Sequence, residues 1–268
     1  MIIFARPQKT ITVRTIYYNM ERSKEETELL KQQIKLTRLF HKACSEYGLI
    51  EDGDSILVGL SGGKDSLALV EFLGERSKIY VPRFKVCAVH ISIDNIGYSS
   101  DLEYLRRFCE LHNVSFIHRT SHFSETEGSK KSHCFLCSWY RRKALFETAQ
   151  ETGCNKIALG HHQDDIIETL LMNLIFQGSF STIAPKLTMT KFPITMIRPL
   201  CLMEEKEIAA YAAMQGYHKQ AKLCPFEKES SRSGIKELVS QLETFNPNVR
   251  DSIWGAMSNI KEEYLPLK

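Results

Sequence analysis

The stretch of sequence that decides the fold is residues 55–66, SILVGLSGGKDS. It opens with a nearly continuous apolar run, which predicts a strand that is buried on both faces of a sheet. The glycine-rich sequence SGGKDS follows at once, and LALVEFL after it has the spacing of a helix. A strand, a glycine turn and a helix in this order are typical of α/β proteins, so we expect a parallel sheet to begin near residue 55.

Apolar runs alternate with helical patterns as the sequence continues from this stretch. Further strands are predicted at 84–93, 114–118, 156–160 and 194–200. The accompanying helices are predicted at 99–112, 138–153, 164–176 and 203–215. This alternation predicts an α/β fold with a doubly wound, mainly parallel sheet of five strands that carries helices on both faces.

Two flanking segments enclose this central domain. Residues 1–19 are rich in β-branched and aromatic residues and are predicted to be extended, whereas residues 21–47 have the pattern of a helix. The tail contains two more helical patterns, at 233–244 and 248–263. The predicted division of the chain is therefore 1–50 for the N-terminal extended segment and helix, 51–220 for the sheet domain, and 221–268 for the helical tail.

The composition is that of an ordinary globular protein. Of the 268 residues, 43% are hydrophobic and 25% are charged, and the net charge is +3. These values exclude a mainly disordered chain, a collagen and a disulfide-rich mini-protein. No run approaches the roughly 18 apolar residues of a transmembrane helix, and Arg6 and Lys9 make the N-terminus a poor signal peptide. We expect a cytoplasmic protein whose cysteines stay reduced and which has no membrane partner.

The glycine-rich turn is a candidate phosphate site. It consists of Ser61, Gly62, Gly63, Lys64, Asp65 and Ser66. At the carboxyl end of a strand, the two glycines let backbone N–H groups converge, and the next helix adds its positive end. A Walker A loop would need glycine at Val58 and serine or threonine at Asp65, which excludes that motif. Asp65 suits Mg²⁺ beside a phosphate; the alternative is a glycine turn that binds no ligand.

A second polar sequence, GHHQDD at 160–165, ends the fourth predicted strand. The carboxyl ends of parallel strands lie at one edge of the sheet, so we expect this sequence to lie near SGGKDS. Its adjacent carboxylates, Asp164 and Asp165, could bind a metal and activate a substrate, or could cap the helix that follows. His161 and His162 could instead be zinc ligands, but the sequence has no matching pair.

Cys134 and Cys137 stand out among the eight cysteines because they form a C-x-x-C in polar, basic surroundings. From the spacing alone, the pair could be a redox site, half of a zinc site or part of an iron–sulfur site.

The same region has the composition of an RNA-binding surface. The sequence GSKKSHCFLCSWYRRK at 128–143 has five basic side chains and no acidic ones, interleaved with aromatic residues. Basic groups suit phosphates and aromatic rings can stack on unpaired bases. The predicted RNA contacts are Lys130, Lys131, Arg141 and Arg142. The alternative is a solvated helix face with its aromatic residues in the core.

Taken together, these motifs resemble the PP-loop ATP pyrophosphatase superfamily, whose signature is the loop SGGxDS after the first strand. Within it, the chain is most similar to the tRNA 2-thiocytidine synthetases, which carry SGGKDS, a C-x-x-C before a basic helix, GHHxDDxxET and a later cysteine. Here these motifs read SGGKDS at 61–66, Cys134-Phe-Leu-Cys137, GHHQDDIIET at 160–169, and Cys224. The resemblance covers roughly residues 30–260.

The resemblance implies that ATP is split between its α and β phosphates, that O2 of a cytidine at tRNA position 32 is adenylated, and that sulfur displaces AMP. The loop amides and Lys64 would hold the pyrophosphate, and Asp65 would hold Mg²⁺. The implied catalytic residues are Lys64, Asp65, Asp164 and Asp165. The other implied nucleotide contacts are Ser61, Gly62, Gly63, Ser66, His90, Gly160 and His161.

The resemblance also implies a [4Fe–4S] cluster on Cys134, Cys137 and Cys224, with one open iron for the sulfur. Family members often have a second C-x-x-C in the tail, and Ala221 occupies its first position here, so we expect Cys224 to be the third ligand. The implied partners are tRNA and a cysteine desulfurase or other sulfur donor. Dimerisation through the N-terminal extended segment stays open.

Three other functions remain open at this point. A PP-loop enzyme of the lysidine synthetase type would not need the three cysteines. A 2-thiouridine synthetase usually has additional cysteine pairs, whereas this chain has one C-x-x-C. A non-catalytic nucleotide-binding regulator could keep SGGKDS but would have no use for a cluster.

Overall fold

The structure is a computed structural model that describes residues 24–94, 100–122, 133–190, 192–218 and 231–266. The side chains of residues 133, 134, 231 and 232 are outside that description. The predicted extended segment at 1–19 and the residues that contain Lys130, Lys131 and Cys224 also lie outside it.

The predicted α/β class with a mainly parallel sheet is confirmed, but the sheet has six strands instead of five. The strands are β1 Ser55–Gly59, β2 Lys85–Ile93, β3 Ser115–Ser121, β4 Lys156–Ala158, β5 Lys186–Thr188 and β6 Thr195–Ile197. Their spatial order is β3-β2-β1-β4-β6-β5. Only β5 was not predicted. It is three residues long, lacks an apolar run and pairs antiparallel with β6 at the edge of the sheet.

Helices connect the parallel strands. In the described part of the chain they are α1 Lys24–Glu46, α2 Lys64–Ser77, α3 Leu102–Leu111, α4 His133–Glu151, α5 Gln163–Gln177, α6 Glu205–Met214, α7 Ser231–Phe245 and α8 Val249–Ala256. Helix α4 begins five residues before its predicted start at 138, so it includes both cysteines of the C-x-x-C. The predicted last helix, 248–263, is wrong in length, because α8 ends at Ala256 and only a short 3₁₀ turn follows, at Glu262–Tyr264.

The two faces of β1 belong to different parts of the core. Ile56 and Val58 pack in the larger cluster, which also contains Phe40 of α1 and Tyr211 of α6. Leu57, between them, packs on the other face with Leu145 of α4. Successive strand residues point to opposite faces, so a nearly unbroken apolar strand is what a sheet covered on both sides requires.

The strand order reverses at β1: β2 and β3 are added on one side of it, and β4 and β6 on the other. From β1 the chain passes through α2 to β2 on one side, whereas β4 pairs with β1 on the other side, with Ile56 opposite Lys156 and Val58 opposite Ala158. The carboxyl ends of β1 and β4 are therefore neighbours. In open α/β sheets, a crevice at such a switch point is the usual ligand site.

Helices at both ends of the described chain join this core. Leu36, Phe40 and Ala43 of α1 are buried in it, and Trp254 of α8 packs against it. The division of the chain at residues 50 and 220 stays a prediction. In the described ranges, no helix combines the length and the apolar composition needed to cross a membrane.

A buried ion pair connects β1 and β4 at their amino-terminal ends, opposite the crevice. The Lys156 ammonium lies 2.7 Å from an Asp54 carboxylate oxygen, and both side chains are 4% exposed. Lys156 also donates to the carbonyl oxygen of Leu49, and Asp54 accepts from the side chain of Asn155. These contacts connect the starts of β1 and β4, whose other ends form the crevice.

We expect Lys156→Met to lower the free energy of unfolding by about 3–5 kcal/mol, because it leaves the Asp54 carboxylate buried without its counter-ion. Urea unfolding followed by circular dichroism measures the change. Lys31→Met is the control: Lys31 pairs with Glu28 on an exposed helix surface, where a pair contributes about 1 kcal/mol or less. Equal losses in the two variants would contradict the structural role of the buried pair.

Candidate active site

The turn between β1 and α2 has the geometry of an anion site. Gly62 has a φ of +83°, a conformation that favours glycine, and Gly63 is the N-cap residue of α2. Because Gly63 supplies no side-chain cap, the first-turn N–H groups of α2 are left for another acceptor. The Ser61 hydroxyl accepts from the Gly63 N–H and donates to the Ser66 hydroxyl, which fixes the shape of the turn.

Gly160 brings the second motif against this turn. A Cβ atom at this position would lie 3.1 Å from the carbonyl carbon and oxygen of Asp65 and 3.2 Å from the Ser66 nitrogen. Only glycine allows the chain after β4 to approach the start of α2 this closely. The expected proximity of SGGKDS and GHHQDD is thus a direct backbone contact.

Lys64 and Asp65 provide the charged groups of the turn. The Lys64 ammonium lies 3.2 Å from Oδ2 of Asp65 and 3.1 Å from Oε1 of Glu205. Burial lowers the pKa of Lys64, but the two carboxylates outweigh that effect and raise it. The other Asp65 oxygen, Oδ1, is buried and has no hydrogen-bond partner in the described residues. Nε2 of His162 lies 4.0 Å from this oxygen, beyond hydrogen-bond distance. A buried carboxylate oxygen without a hydrogen bond fits a Mg²⁺ ligand.

The two aspartates of GHHQDD form different kinds of contact. Asp165 and His162 form a capping box at the start of α5, in which each side chain bonds the backbone N–H of the other residue. Oδ1 of Asp164 accepts from Arg250 at 2.6 Å, and its Oδ2 accepts from the Glu205 N–H at 2.6 Å. The sequence left open either metal binding with substrate activation or helix capping. The contacts of Asp165 are those of helix capping, and the contacts of Asp164 are an ion pair and a hydrogen bond to the backbone of α6.

His90 lies beside the turn, near the carboxyl end of β2. Its side chain is buried, and Nδ1 donates to the carbonyl oxygen of Leu60, the residue just before the turn, at 2.8 Å. Burial lowers the pKa of His90 against the opposing effect of the hydrogen bond to Leu60, and the charge of Arg141 lowers it further. The neutral imidazole is therefore favoured at physiological pH. His161, the other histidine predicted to contact the nucleotide, is half-buried just after β4.

The C-x-x-C lies in the first turns of α4. Cys134 and Cys137 are three residues apart on this helix, a spacing that puts both positions on one helix face. Cys137 is half-buried and packs with Ile93, the last residue of β2, so the pair lies at the edge of the sheet that carries the crevice. Of the described side chains, no three histidine, cysteine or acidic residues form a metal site.

The two arginines predicted to bind RNA differ in their surroundings. Arg142 is exposed on α4. Arg141 is half-buried, its Nε atom has no hydrogen-bond partner in the part of the chain described, and it is close enough to His90 to lower its pKa. Of the neighbouring aromatic residues, Phe135 and Trp139 are about half-exposed, whereas Tyr140 packs with Ile93.

Sequence reasoning missed three residues of the site, which are Glu205, Lys236 and Arg250. It considered His162 only as a zinc ligand, whereas the position of His162 before a helix that follows a strand could have indicated its capping role. In the sequence, Glu205 is indistinguishable from any acidic residue at the start of a helix. No sequence pattern connects Lys236 or Arg250 to residues far before them in the chain.

A strand order that reverses at an SGGKDS turn, with a second strand end packed on it, defines a PP-loop domain. The model of the PP-loop domain family matches residues 29–221. Within that class, the chain belongs to the family of the tRNA-cytidine(32) 2-sulfurtransferases. It is 36% identical to the Syntrophotalea carbinolica member over 235 residues, which cover 86% of this chain and 91% of that protein. It is 36% identical to the Sorangium cellulosum member over 234 residues, covering 86% and 83%.

A solved structure agrees with this class. The U34-tRNA thiolase NcsA from Methanococcus maripaludis, determined with its [4Fe–4S] cluster, is 27% identical in sequence and superposes with a TM-score of 0.68. The match covers 86% of this chain and 80% of NcsA.

We expect Gly160→Ala to weaken the binding of ATP with Mg²⁺ about tenfold, equivalent to about 1.4 kcal/mol, because the new methyl group displaces the backbone of Asp65. Isothermal titration calorimetry measures the affinity. Gly255→Ala is the matched control, since a Cβ atom there has no neighbour within 4 Å. Unchanged ATP affinity in a folded Gly160→Ala protein would contradict the role of this contact.

Proposed function

We propose that this chain is an ATP-dependent tRNA thiolase that replaces O2 of cytidine 32 with sulfur. The observation that carries the proposal is the 36% identity to a tRNA-cytidine(32) 2-sulfurtransferase over 91% of that protein. The geometry supports the proposal independently of this sequence identity. The PP-loop turn and the C-x-x-C lie at the same edge of the sheet, so a nucleotide and a sulfur carrier could both reach one base.

The PP-loop turn would bind the triphosphate of ATP. The first-turn N–H groups of α2 and the Lys64 ammonium would contact the β and γ phosphates, which leave as pyrophosphate. Gly62, Gly63 and Gly160 keep side chains out of this space, while Ser61 and Ser66 hold the turn. His90 and His161 would contact the adenosine.

Asp65 is the residue that we assign to Mg²⁺, through its buried oxygen that has no hydrogen-bond partner in the described residues. When bound, Mg²⁺ supplies positive charge to the phosphates. Asp164 and Asp165, which we expected to be catalytic, would contribute by holding the start of α5 and the N–H of Glu205 in position.

With sulfide as the nucleophile, the reaction balances without a redox step; persulfide sulfur from a desulfurase would first be reduced to sulfide by a thiol. Cytidine O2 attacks the α phosphorus of ATP, the bond to the β phosphate breaks, and pyrophosphate leaves. A sulfur nucleophile then attacks C2 of the base, the C2–O2 bond breaks, and AMP leaves with that oxygen. What the protein must do is align O2 with the α phosphorus and stabilise the charge on the leaving pyrophosphate.

Cys134, Cys137 and Cys224 are the cysteines that we propose as ligands of a [4Fe–4S] cluster. The described helix fits this role, since its two cysteines are one turn apart and at the same sheet edge as the PP-loop turn. When bound by three thiolates, such a cluster supplies an open iron that can carry the sulfur.

The tRNA would approach this edge over the start of α4. Arg142 is exposed there, and Phe135 and Trp139 are accessible for stacking, so we assign Arg142, with Lys130 and Lys131, to tRNA phosphates. Arg141 would act closer to the crevice. A cysteine desulfurase or another cytoplasmic donor would supply the sulfur. We keep the division at residues 50 and 220 and a homodimer as further hypotheses.

Uridine thiolation is the second candidate, because NcsA acts on U34 and has a [4Fe–4S] cluster. Its 27% identity to this chain is lower than the 36% identity of the cytidine enzymes, which favours cytidine.

The function predicts a specific set of products. Anaerobic holoenzyme with tRNA, ATP, Mg²⁺ and sulfide should release AMP and pyrophosphate in equal amounts and form 2-thiocytidine, as measured by chromatography and mass spectrometry of digested tRNA. Asp65→Asn should lower turnover by about a hundredfold, since Mg²⁺ loses a charged ligand. Asp52→Asn, at an exposed position, is the control. ADP as the main product would overturn the proposal, and 2-thiouridine would favour the second candidate.

The cluster assignment predicts a colour change. Replacement of Cys134, Cys137 or Cys224 by alanine should abolish the brown absorption of anaerobically purified protein, because two thiolates do not retain the cluster. Cys44→Ala should leave the absorption intact, since Cys44 lies in α1 and is packed against the core. A colourless wild-type protein with stoichiometric zinc would contradict the assignment.

A further inference from the structure

Glu205 is a carboxylate at the PP-loop turn that the proposed reaction does not use. It is the first residue of α6, and its Oε1 lies 3.1 Å from the Lys64 ammonium. Its other oxygen, Oε2, accepts from Lys236 of α7. Glu205 therefore bridges the cation of the PP-loop turn and a cation of the C-terminal helices.

The bridge is charged at neutral pH. The hydrogen bond from Lys236 lowers the pKa of Glu205, and that from Lys64 adds to the effect against the opposing burial, so that the pKa is about 2. Lys64, Lys236, Asp65 and Glu205 together form a group of two positive and two negative charges.

The backbone of Glu205 is held independently of these ion pairs. Its N–H donates to Asp164 at 2.6 Å, and Asp164 is in turn bonded by Arg250. The start of α6 is thus fixed to the start of α5, whereas Lys64 has a long side chain whose ammonium can reorient.

The Lys64 ammonium has three N–H donors, and its charge is already shared by the carboxylates of Asp65 and Glu205. Pyrophosphate that binds Lys64 would therefore compete with the negative charge of Glu205. We propose that Glu205 is a positioning residue that competes with pyrophosphate for Lys64, and that Lys236 weakens this competition by sharing the Glu205 carboxylate. The inference rests on the proposed function and adds a group that favours release of the product.

The test is the affinity of the holoenzyme for pyrophosphate with Mg²⁺, measured by isothermal titration calorimetry at fixed ionic strength. Glu205→Gln keeps the shape and the backbone N–H but removes the charge, so pyrophosphate should bind about fivefold more tightly, as expected for a partly exposed pair. Lys236→Gln leaves the whole Glu205 charge to Lys64, so pyrophosphate should bind about threefold more weakly.

The double variant distinguishes competition from a direct contact. If Lys236 acts through Glu205, the Glu205→Gln/Lys236→Gln protein should bind pyrophosphate as Glu205→Gln does. The proposal would be overturned if Lys236→Gln weakened pyrophosphate binding equally in the wild-type and the Glu205→Gln background. Lys236 would then contact the phosphate directly. Lys206→Gln is the control: Lys206 pairs with the neighbouring Glu204 and is mostly exposed.

Weaker or unchanged pyrophosphate binding in Glu205→Gln would also overturn the inference. Should that variant fail to fold, the opposite shift expected for Lys236→Gln still tests it. If the wild-type protein binds ATP with Mg²⁺ and forms 2-thiocytidine, but the variants bind pyrophosphate as the wild type does, only this inference is refuted. Wild-type protein that binds neither ATP nor pyrophosphate would refute the proposed function as well.

Discussion

The site depends on the contact between Gly160 and the backbone of Asp65 and Ser66. Parallel pairing of β1 with β4 brings the two strand ends within one strand spacing, about 4.8 Å, and leaves no room for a side chain between the segments that follow. With glycine there, the starts of α2 and α5 converge on one point. Two helix N-termini then face the same space, where their partial positive charges favour an anion.

The converging helix starts also gather carboxylates, which oppose an anion. Asp65, Asp164 and Glu205 lie at or near the turn, and each is bonded by a cation. Lys64 comes from the turn itself, but Arg250 comes from the C-terminal helices. The electrostatic balance of the PP-loop turn thus depends on residues outside the matched PP-loop domain at 29–221.

The sequence predicted the parts of this arrangement that rest on local patterns. Apolar runs predicted the five parallel strands, and the glycine sequence predicted the turn between the first strand and its helix, because both signals lie in consecutive residues. The three-residue β5 has no such signal. The contacts of Asp164 with Arg250 and of Lys64 with Glu205 join residues 86 and 141 positions apart, and no local pattern encodes them. Burial of Arg141 likewise depends on how α4 packs on β2.

The occupied oxygens of Asp164 agree with the chemistry of adenylation. Cytidine O2 carries no proton, so its attack on the α phosphorus requires no general base. A site for this step needs alignment and positive charge more than a free carboxylate. The aspartates of GHHQDD can therefore be used for helix capping and for holding Glu205 without loss of a proton acceptor. In the site that we propose, the rate would depend on how firmly Lys64 and the N–H groups of α2 are positioned around the leaving pyrophosphate.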